Sequence, residues 1–205
     1  MNSMQDILDL LGYLGVFAFA ASGALAAGRK GMDIFGFVFV ALLPAAGGGT
    51  VRDLLLDLQP FWISDQVNIW VAFAAAVAVF MAGRHFRRTR LLVWADAIGL
   101  SVFAVLGARS ALSVTDSTLV AVMLGVTTAV VGGILRDVVC NELPLVLHKE
   151  IYASAAVVGA GAYCLLAGLE VSGEVTVLAS ILCCFAVRAI GILTNLSLPV
   201  SRLED

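Results

Sequence analysis

Seven separate stretches of about twenty apolar residues decide what this chain can fold into. They run over about 8 to 27, 34 to 56, 67 to 83, 91 to 108, 117 to 140, 151 to 169 and 175 to 197. A bilayer core about 30 Å thick is crossed by roughly 20 residues of helix, which satisfies its own backbone N–H and C=O groups in hydrocarbon. Composition agrees, since 61% of the 205 residues are apolar, 13% are charged and mean hydropathy is +1.02. Soluble domains lie nearer one-half apolar and one-quarter charged. The expectation is an all-α integral membrane protein of seven transmembrane helices, with residues 1–205 forming a single membrane domain. No basic tail or stripe suggests a nucleic-acid partner.

The N-terminal "MNSMQDILDLLGYLG" is acidic ahead of its apolar run, whereas a secretory signal begins with basic residues, so the first span is expected to remain in the mature protein. With seven spans the loops alternate sides. One side collects Arg29, Lys30, Arg84, Arg87, Arg88, Arg90, Lys149 and Arg202, and the other only Arg109. Cytoplasmic loops carry the excess of Lys and Arg, which predicts an external N-terminus and a cytoplasmic C-terminus in a cell inner membrane.

A motif recurs within this pattern. "GGGTVRD" at residues 47–53 is echoed by "VGGILRD" at residues 131–137. An offset of 84 residues superposes Gly48, Gly49, Arg52 and Asp53 on Gly132, Gly133, Arg136 and Asp137, and likewise Gly15 on Gly99, Phe19 on Phe103, Gly23 on Gly107 and Pro60 on Pro144. The chain therefore reads as repeat 1 (8–83), repeat 2 (91–169) and a seventh helix (175–197). An odd number of spans per unit predicts an inverted three-plus-three repeat about a pseudo-two-fold axis in the membrane plane.

Glycine costs about 1 kcal/mol against alanine inside a helix, and Pro44 just ahead of the triplet removes a backbone hydrogen bond. The second span is expected to kink or break there. The second copy carries Thr127, Thr128, Gly132 and Gly133 without a proline, predicting a milder bend. Irregular backbone at membrane depth is tolerated only beside protein or water, so the motif predicts a polar cavity near mid-membrane between two half-helices. On the same reasoning, alanine at these glycines should straighten the spans and leave the fold intact. A charge inside an apolar span costs about 3 kcal/mol, so Arg52 and Arg136 need a reason to be there. Neighbours on a helix point about 100° apart, which argues against Arg52 with Asp53. Two readings stand: cross-pairing of Arg52 with Asp137 and Arg136 with Asp53, or ordinary helix-end charges snorkelling to the surface.

Other candidates are weaker. Cys140, Cys164, Cys183 and Cys184 lack metal-ligand spacing and read as reduced packing residues. His85 and His148 lie in or beside loops and read as solvated. Arg188 in the seventh span could meet the cavity, a subunit interface or a lipid headgroup. Ser22 with Ala26, and Ala155 with Gly159, permit close helix contact. No nucleophile and base pair, dinucleotide fingerprint or metal cluster is visible, so neither an enzyme nor a cofactor is expected.

The seven spans and the doubled "GGGTVRD" and "VGGILRD" resemble the prokaryotic branch of the trimeric intracellular cation (TRIC) channels, whose repeat unit is also described as a glycine-transporter-like domain. The resemblance covers roughly residues 8 to 197. It implies a homotrimer in the lipid bilayer, with one pore per subunit through the kinked second and fifth spans, passing potassium or sodium. It also implies that Gly47, Gly48, Gly49, Gly132 and Gly133 are kink and pore positions, and that Arg52 and Arg136, beside Asp53 and Asp137, are the charged positions. Animal members bind inositol lipids through a lysine-centred motif that the matching spans lack. Arginines and half-helix N-termini attract anions while freed carbonyls attract cations, which leaves a secondary transporter of a small zwitterion such as glycine as the alternative.

Overall fold

The computed structural model describes residues 3–83, 89–148, 151–194 and 196. Eight α-helices make up the described chain: α1 (Ser3–Arg29), α2 (Ile34–Leu55), α3 (Phe61–Ser64), α4 (Val67–Ala82), α5 (Thr89–Leu112), α6 (Thr118–Val139), α7 (Ala153–Gly168) and α8 (Gly173–Thr194). A 3-10 turn lies at Leu145–Leu147. Five helices, α1, α2, α5, α6 and α8, are long and apolar enough to cross a membrane. α4 and α7 are apolar but have only 16 residues each, about 24 Å at 1.5 Å per residue. In each case a short helical piece, α3 or the 3-10 turn, precedes the shortened helix. Of the basic loop residues, Arg84, Arg87, Arg88, Lys149 and Arg202 lie outside the described residues, as do His85 and the end of the seventh predicted span.

The connections after α2 and α6 are built alike. Helix α2 gives way to Asp57 and α6 to Asn141, both left-handed with φ of 55° and 53°. Asp and Asn tolerate that conformation better than other side-chain-bearing residues. It lets Leu58 N–H reach back to Asp53 C=O and Glu142 N–H to Asp137 C=O, each at 2.8 Å, closing the helix end by the six-residue return bond. Pro60 and Pro144 then start the short helical pieces. At the other ends, Asp33 accepts from Gly36 N–H at 2.8 Å and Ser117 accepts from Val120 N–H at 3.4 Å, satisfying first-turn donors of α2 and α6.

Packing repeats in the same way. Helices α1, α2 and α4 pack on one another, as do α5, α6 and α7, while α1 meets α5 and α2 crosses α6 between the two groups. Phe19 and Phe103, related by the 84-residue offset, stack at 5.4 Å between ring centroids in the core. Helix α8 lies against α7 and α5, where a Cβ at Gly159 would come within 2.5 Å of the Cys184 Cβ. All four cysteines are free, and Cys140, Cys164 and Cys184 are buried.

Helix α2 is one continuous α-helix from Ile34 to Leu55, with Pro44 and all three glycines inside it. The expected pair of half-helices does not form. The glycines serve close approach instead: a Cβ on Gly48 would overlap the Thr128 carbonyl oxygen, and one on Gly132 would stand 2.6 Å from the Pro44 oxygen. Tertiary contact of this kind outweighs a propensity loss of about 1 kcal/mol per glycine. Because Pro44 meets Gly132 while Gly48 meets Thr128, α2 and α6 run antiparallel through their crossing.

Candidate functional site

The crossing of α2 and α6 organises the motif residues. Pro44, Gly48, Thr128 and Gly132 are buried against one another, and Gly47 packs beside Leu135. The Thr128 hydroxyl donates to Leu124 C=O at 2.6 Å, and Thr127, half-buried on the outward side, donates to Met123 C=O at 2.8 Å. Both threonines thus spend their hydroxyl donors on their own helix. Gly49 faces the Phe61 ring, and Gly133 faces the Tyr152 hydroxyl.

Beyond the crossing, each helix ends in its Arg-Asp pair, and the pairing differs from both sequence readings. Arg52 Nε donates to Asp53 Oδ1 at 2.8 Å, and Nη2 lies 2.6 Å from the same oxygen. Arg136 Nε donates to Asp137 Oδ1 at 2.7 Å. The antiparallel crossing explains why cross-pairing fails: Arg52 and Asp137 sit on opposite sides of it, about 20 Å apart along the helix axes at 1.5 Å per residue. The long arginine stem folds back over the neighbouring carboxylate despite the 100° between their Cβ directions. Snorkelling fails too, because Arg52, Asp53, Arg136 and Asp137 are all buried.

The second oxygen of each aspartate has another task. Asp53 Oδ2 accepts from Phe61 N–H at 2.8 Å, and Asp137 Oδ2 accepts from Leu145 N–H at 3.0 Å. Each carboxylate therefore ties its arginine to the first residue after Pro60 or Pro144. Phe61 also lies under the Arg52 guanidinium, 6.0 Å from ring centroid to Cζ. Trp62 Nε1 donates to Thr50 at 2.9 Å and holds α3 to α2.

Sequence reasoning missed the rest of the second cluster. Arg136 Nη1 donates to Asp96 Oδ1 at 2.6 Å and to Ser22 Oγ at 2.9 Å, and both Arg136 and Asp96 are fully buried. Asp96 stands inside the apolar run "LLVWADAIGL", so it carried the signal used for the arginines, an ionisable residue at membrane depth. Ser22 and Tyr152 carried none, since neither type is unusual in a span. Arg188 enters the same region: its Nη1 donates to Ile151 C=O at 2.9 Å, and its guanidinium stacks over the Tyr152 ring at 5.1 Å.

Two cavities flank the crossing at opposite ends of α1 and α5. One, of about 490 Å³, is lined by Gln5, Gly12, Arg52, Phe61, Asn68 and Arg109, among others. The other, of about 250 Å³, includes Arg29, Lys30, Asp137, Glu142 and His148 in its wall. Lys30 Nζ lies 2.5 Å from Glu142 Oε1, and the hydrogen bond from Lys30 holds the Glu142 carboxyl below its ordinary value. His148 is exposed with Nε2 3.1 Å from Leu143 C=O. Among the described residues no cluster of His, Cys, Asp and Glu fits a metal ion.

Known proteins share this architecture. The family model described as "Glycine transporter" matches twice, over residues 9–84 and 93–168, which is the 84-residue offset read from the glycines. A membrane protein of Vibrio cholerae is 37% identical over 204 residues, covering 97% of this chain and 84% of its own. The inner membrane protein YadS of Escherichia coli strain K12 is 36% identical over 203 residues, covering 95% and 96%. Among solved structures, the TRIC trimeric intracellular cation channel orthologue from Rhodobacter sphaeroides superposes with a TM-score of 0.87 at 39% identity, over 93% of this chain and 99% of its own. A further TRIC cation channel gives 0.88 at 37% identity, over 96% and 98%. These neighbours are channels rather than enzymes. An all-helical membrane fold, a duplicated Gly-Gly-x-x-Arg-Asp motif and relatives at this identity over nearly the whole chain place the protein in the prokaryotic TRIC channel family.

Proposed function

We propose that this chain is a monovalent cation channel of an inner membrane, passing potassium or sodium as a homotrimer with one pore in each subunit. The observation that carries this reading is the pair of cavities at opposite ends of α1 and α5, one lined by Arg52 and the other by Asp137, motif residues that lie on either side of the α2–α6 crossing. In this reading the gate lies at the crossing, where two smooth helix faces meet at Gly48 and Gly132. The relatives' description as cation channels supports the ion class. Pairing supports it as well. Asp53 neutralises Arg52, and Asp96 with Asp137 more than neutralises Arg136, which removes the barrier that bare arginines would set against a cation.

The reading includes an inverted repeat, supported by the reciprocal contacts of Pro44 with Gly132 and Thr128 with Gly48, residues that map onto one another under the 84-residue offset. It counts α4 and α7 as spans completed by α3 and by the turn at Leu145–Leu147, giving seven. The basic asymmetry of the loops puts the N-terminus outside and the Arg136 cluster on the cytoplasmic side. Recording of purified protein in planar bilayers under a potassium chloride gradient is the test. Resolved current steps with a reversal potential toward that of potassium are expected. Saturable glycine uptake without resolved steps would instead establish the transporter of a small zwitterion.

A further inference from the structure

The duplicated motif stands in two different settings. Arg136 meets two carboxylates, Asp137 at Nε and Asp96 at Nη1, the second at 2.6 Å. The residue 84 positions before Asp96 is Gly12, and the residue 84 positions after Ser22 is Leu106. Both partners of Arg136 Nη1, Asp96 on α5 and Ser22 on α1, are therefore replaced at the equivalent positions by groups that accept no hydrogen bond from a side chain. Among the described residues, Asp53 is the only hydrogen-bond or ion-pair partner of the Arg52 guanidinium, and it engages Nε and Nη2.

What stands beside Arg52 is space. Gly12 and Arg52 line the same cavity of about 490 Å³, and a Cβ placed on Gly12 would find no heavy atom within 4 Å. Arg109 on α5 adds a second cation to the wall, and Gln5 an amide. The acid nearest in the chain to the cavity's Asn68 is Asp65, and it is engaged already. Its carboxylate accepts from Tyr13 Oη at 2.7 Å, from Asn68 Nδ2 at 3.0 Å and from Val67 N–H at 3.0 Å. Asp53 is likewise saturated by Arg52 and Phe61 N–H. The cavity wall thus holds two guanidinium groups, while the adjoining Asp53 and Asp65 each have both carboxylate oxygens in use.

We propose that this cavity binds a small carboxylate anion, which takes on Arg52 the place that the Asp96 carboxylate takes on Arg136, with Arg109 as the second cation. The second unit supplies the chemistry of the ligand: a carboxylate oxygen meets a terminal nitrogen of the guanidinium in a charge-assisted hydrogen bond, as Asp96 Oδ1 meets Arg136 Nη1. The volume admits acetate and larger monocarboxylates. The site lies in one of the two cavities of the proposed pathway, but the argument for it rests on the difference between the two repeats, and acetate binding is read without any current.

The test is saturation-transfer NMR of acetate with the full chain in lipid nanodiscs, at constant ionic strength. Saturable binding is expected for the parent and for Gly12→Ala, which adds no charge. Gly12→Asp places a tethered carboxylate where the acetate sits and is expected to abolish the signal, while the protein still elutes as a single species. Arg52→Lys keeps the charge beside Asp53 but loses the fork and is expected to weaken binding by about ten-fold. This variant carries the test should Gly12→Asp fail to fold. The proposal is overturned by no saturable signal in the parent, by acetate binding to Gly12→Asp as to the parent, or by chloride displacing acetate at equal concentration, which marks a site for any anion.

Discussion

Alanine at Gly48 or Gly132 sets helix propensity against helix packing, and the distances decide the sign. Each substitution returns about 1 kcal/mol of propensity. Against that, the new methyl group at Gly48 would overlap the Thr128 carbonyl, and at Gly132 it would meet Pro44 at 2.6 Å from the oxygen and 2.8 Å from Cα. These are backbone atoms of a facing helix, so no rotamer change relieves them. Forced overpacking costs roughly 1–3 kcal/mol, and helices that must part along a whole crossing lie at or beyond the upper end. A net loss of about 2 kcal/mol or more per site is expected. Gly47→Ala provides the internal control, since its methyl group meets only the Leu135 Cδ1 at 2.8 Å, the end of a flexible side chain on the exposed side of α6. The assay is the fraction remaining monodisperse in detergent after heating. Gly48→Ala and Gly132→Ala should each lower the midpoint by several degrees, at about 2–4 °C per kcal/mol for a chain of this size, while Gly47→Ala leaves it unchanged or higher. Equal or greater stability of Gly48→Ala would show that the glycines act as helix breakers after all, and would refute the packing argument.

The buried charges make further expectations. Arg136→Gln leaves Asp96 and Asp137 without their cation and should cost about 3–5 kcal/mol, measured by the same heating assay. Asp53→Asn strips Arg52 of its single carboxylate, whereas Asp137→Asn leaves Arg136 with Asp96, so the first should destabilise more than the second; equal losses would contradict the asymmetry. The Glu142 carboxyl is depressed by Lys30, so its contribution to stability is present above its unfolded value and is lost as pH falls through the lower folded one. Lys30→Gln should move the Glu142 titration upward when followed by carbon NMR. In a cysteine-free background, a cysteine at Ser3 should react with a membrane-impermeant reagent added outside cells and one at Thr89 should not; the reverse pattern overturns the orientation.

Much of the fold was legible because lipid imposes a coarse rule. Runs of apolar residues write a helix plainly: the seven predicted stretches fall on α1, α2 and α4 to α8 with ends displaced by a few residues, and five of these helices are long and apolar enough to cross a membrane. The repeat was legible through side chains with a steric or backbone duty, Gly48 with Gly132 and Pro60 with Pro144. The short pieces Phe61–Ser64 and Leu145–Leu147 were not, since three or four residues carry no periodicity. The packing duty of the glycine triplet was hidden for a deeper reason. Propensity is a property of one helix, while the use of Gly48 depends on a carbonyl 80 positions away in sequence. The partner of Arg136 was hidden likewise: Asp96 is 40 residues distant, and only the packing of α5 on α6 brings them together.

The difference between the two arginines follows from what each aspartate is already doing. Asp53 holds Nε and Nη2 of its arginine and Asp137 holds Nε, and each also accepts from the first N–H of the following short piece, so the motif welds the end of its long helix to that piece. That duty is identical in both units and needs both residues, which accounts for an arginine and an aspartate persisting as neighbours at membrane depth. It consumes only one edge of the guanidinium. The other edge is unconstrained by the weld, and there the units diverge: α5 supplies Asp96 to Arg136, while α1 offers Gly12 beside Arg52. One arginine is therefore fixed on three elements, α1, α5 and α6, and is expected to stay still when α2 and α6 slide at their glycine faces. The other is fixed only to its own helix and α3, and borders open space. Under the proposed gating at the crossing, Arg52, with fewer partners and a cavity beside it, is the charge expected to change its surroundings, and Arg136 the one expected to keep them.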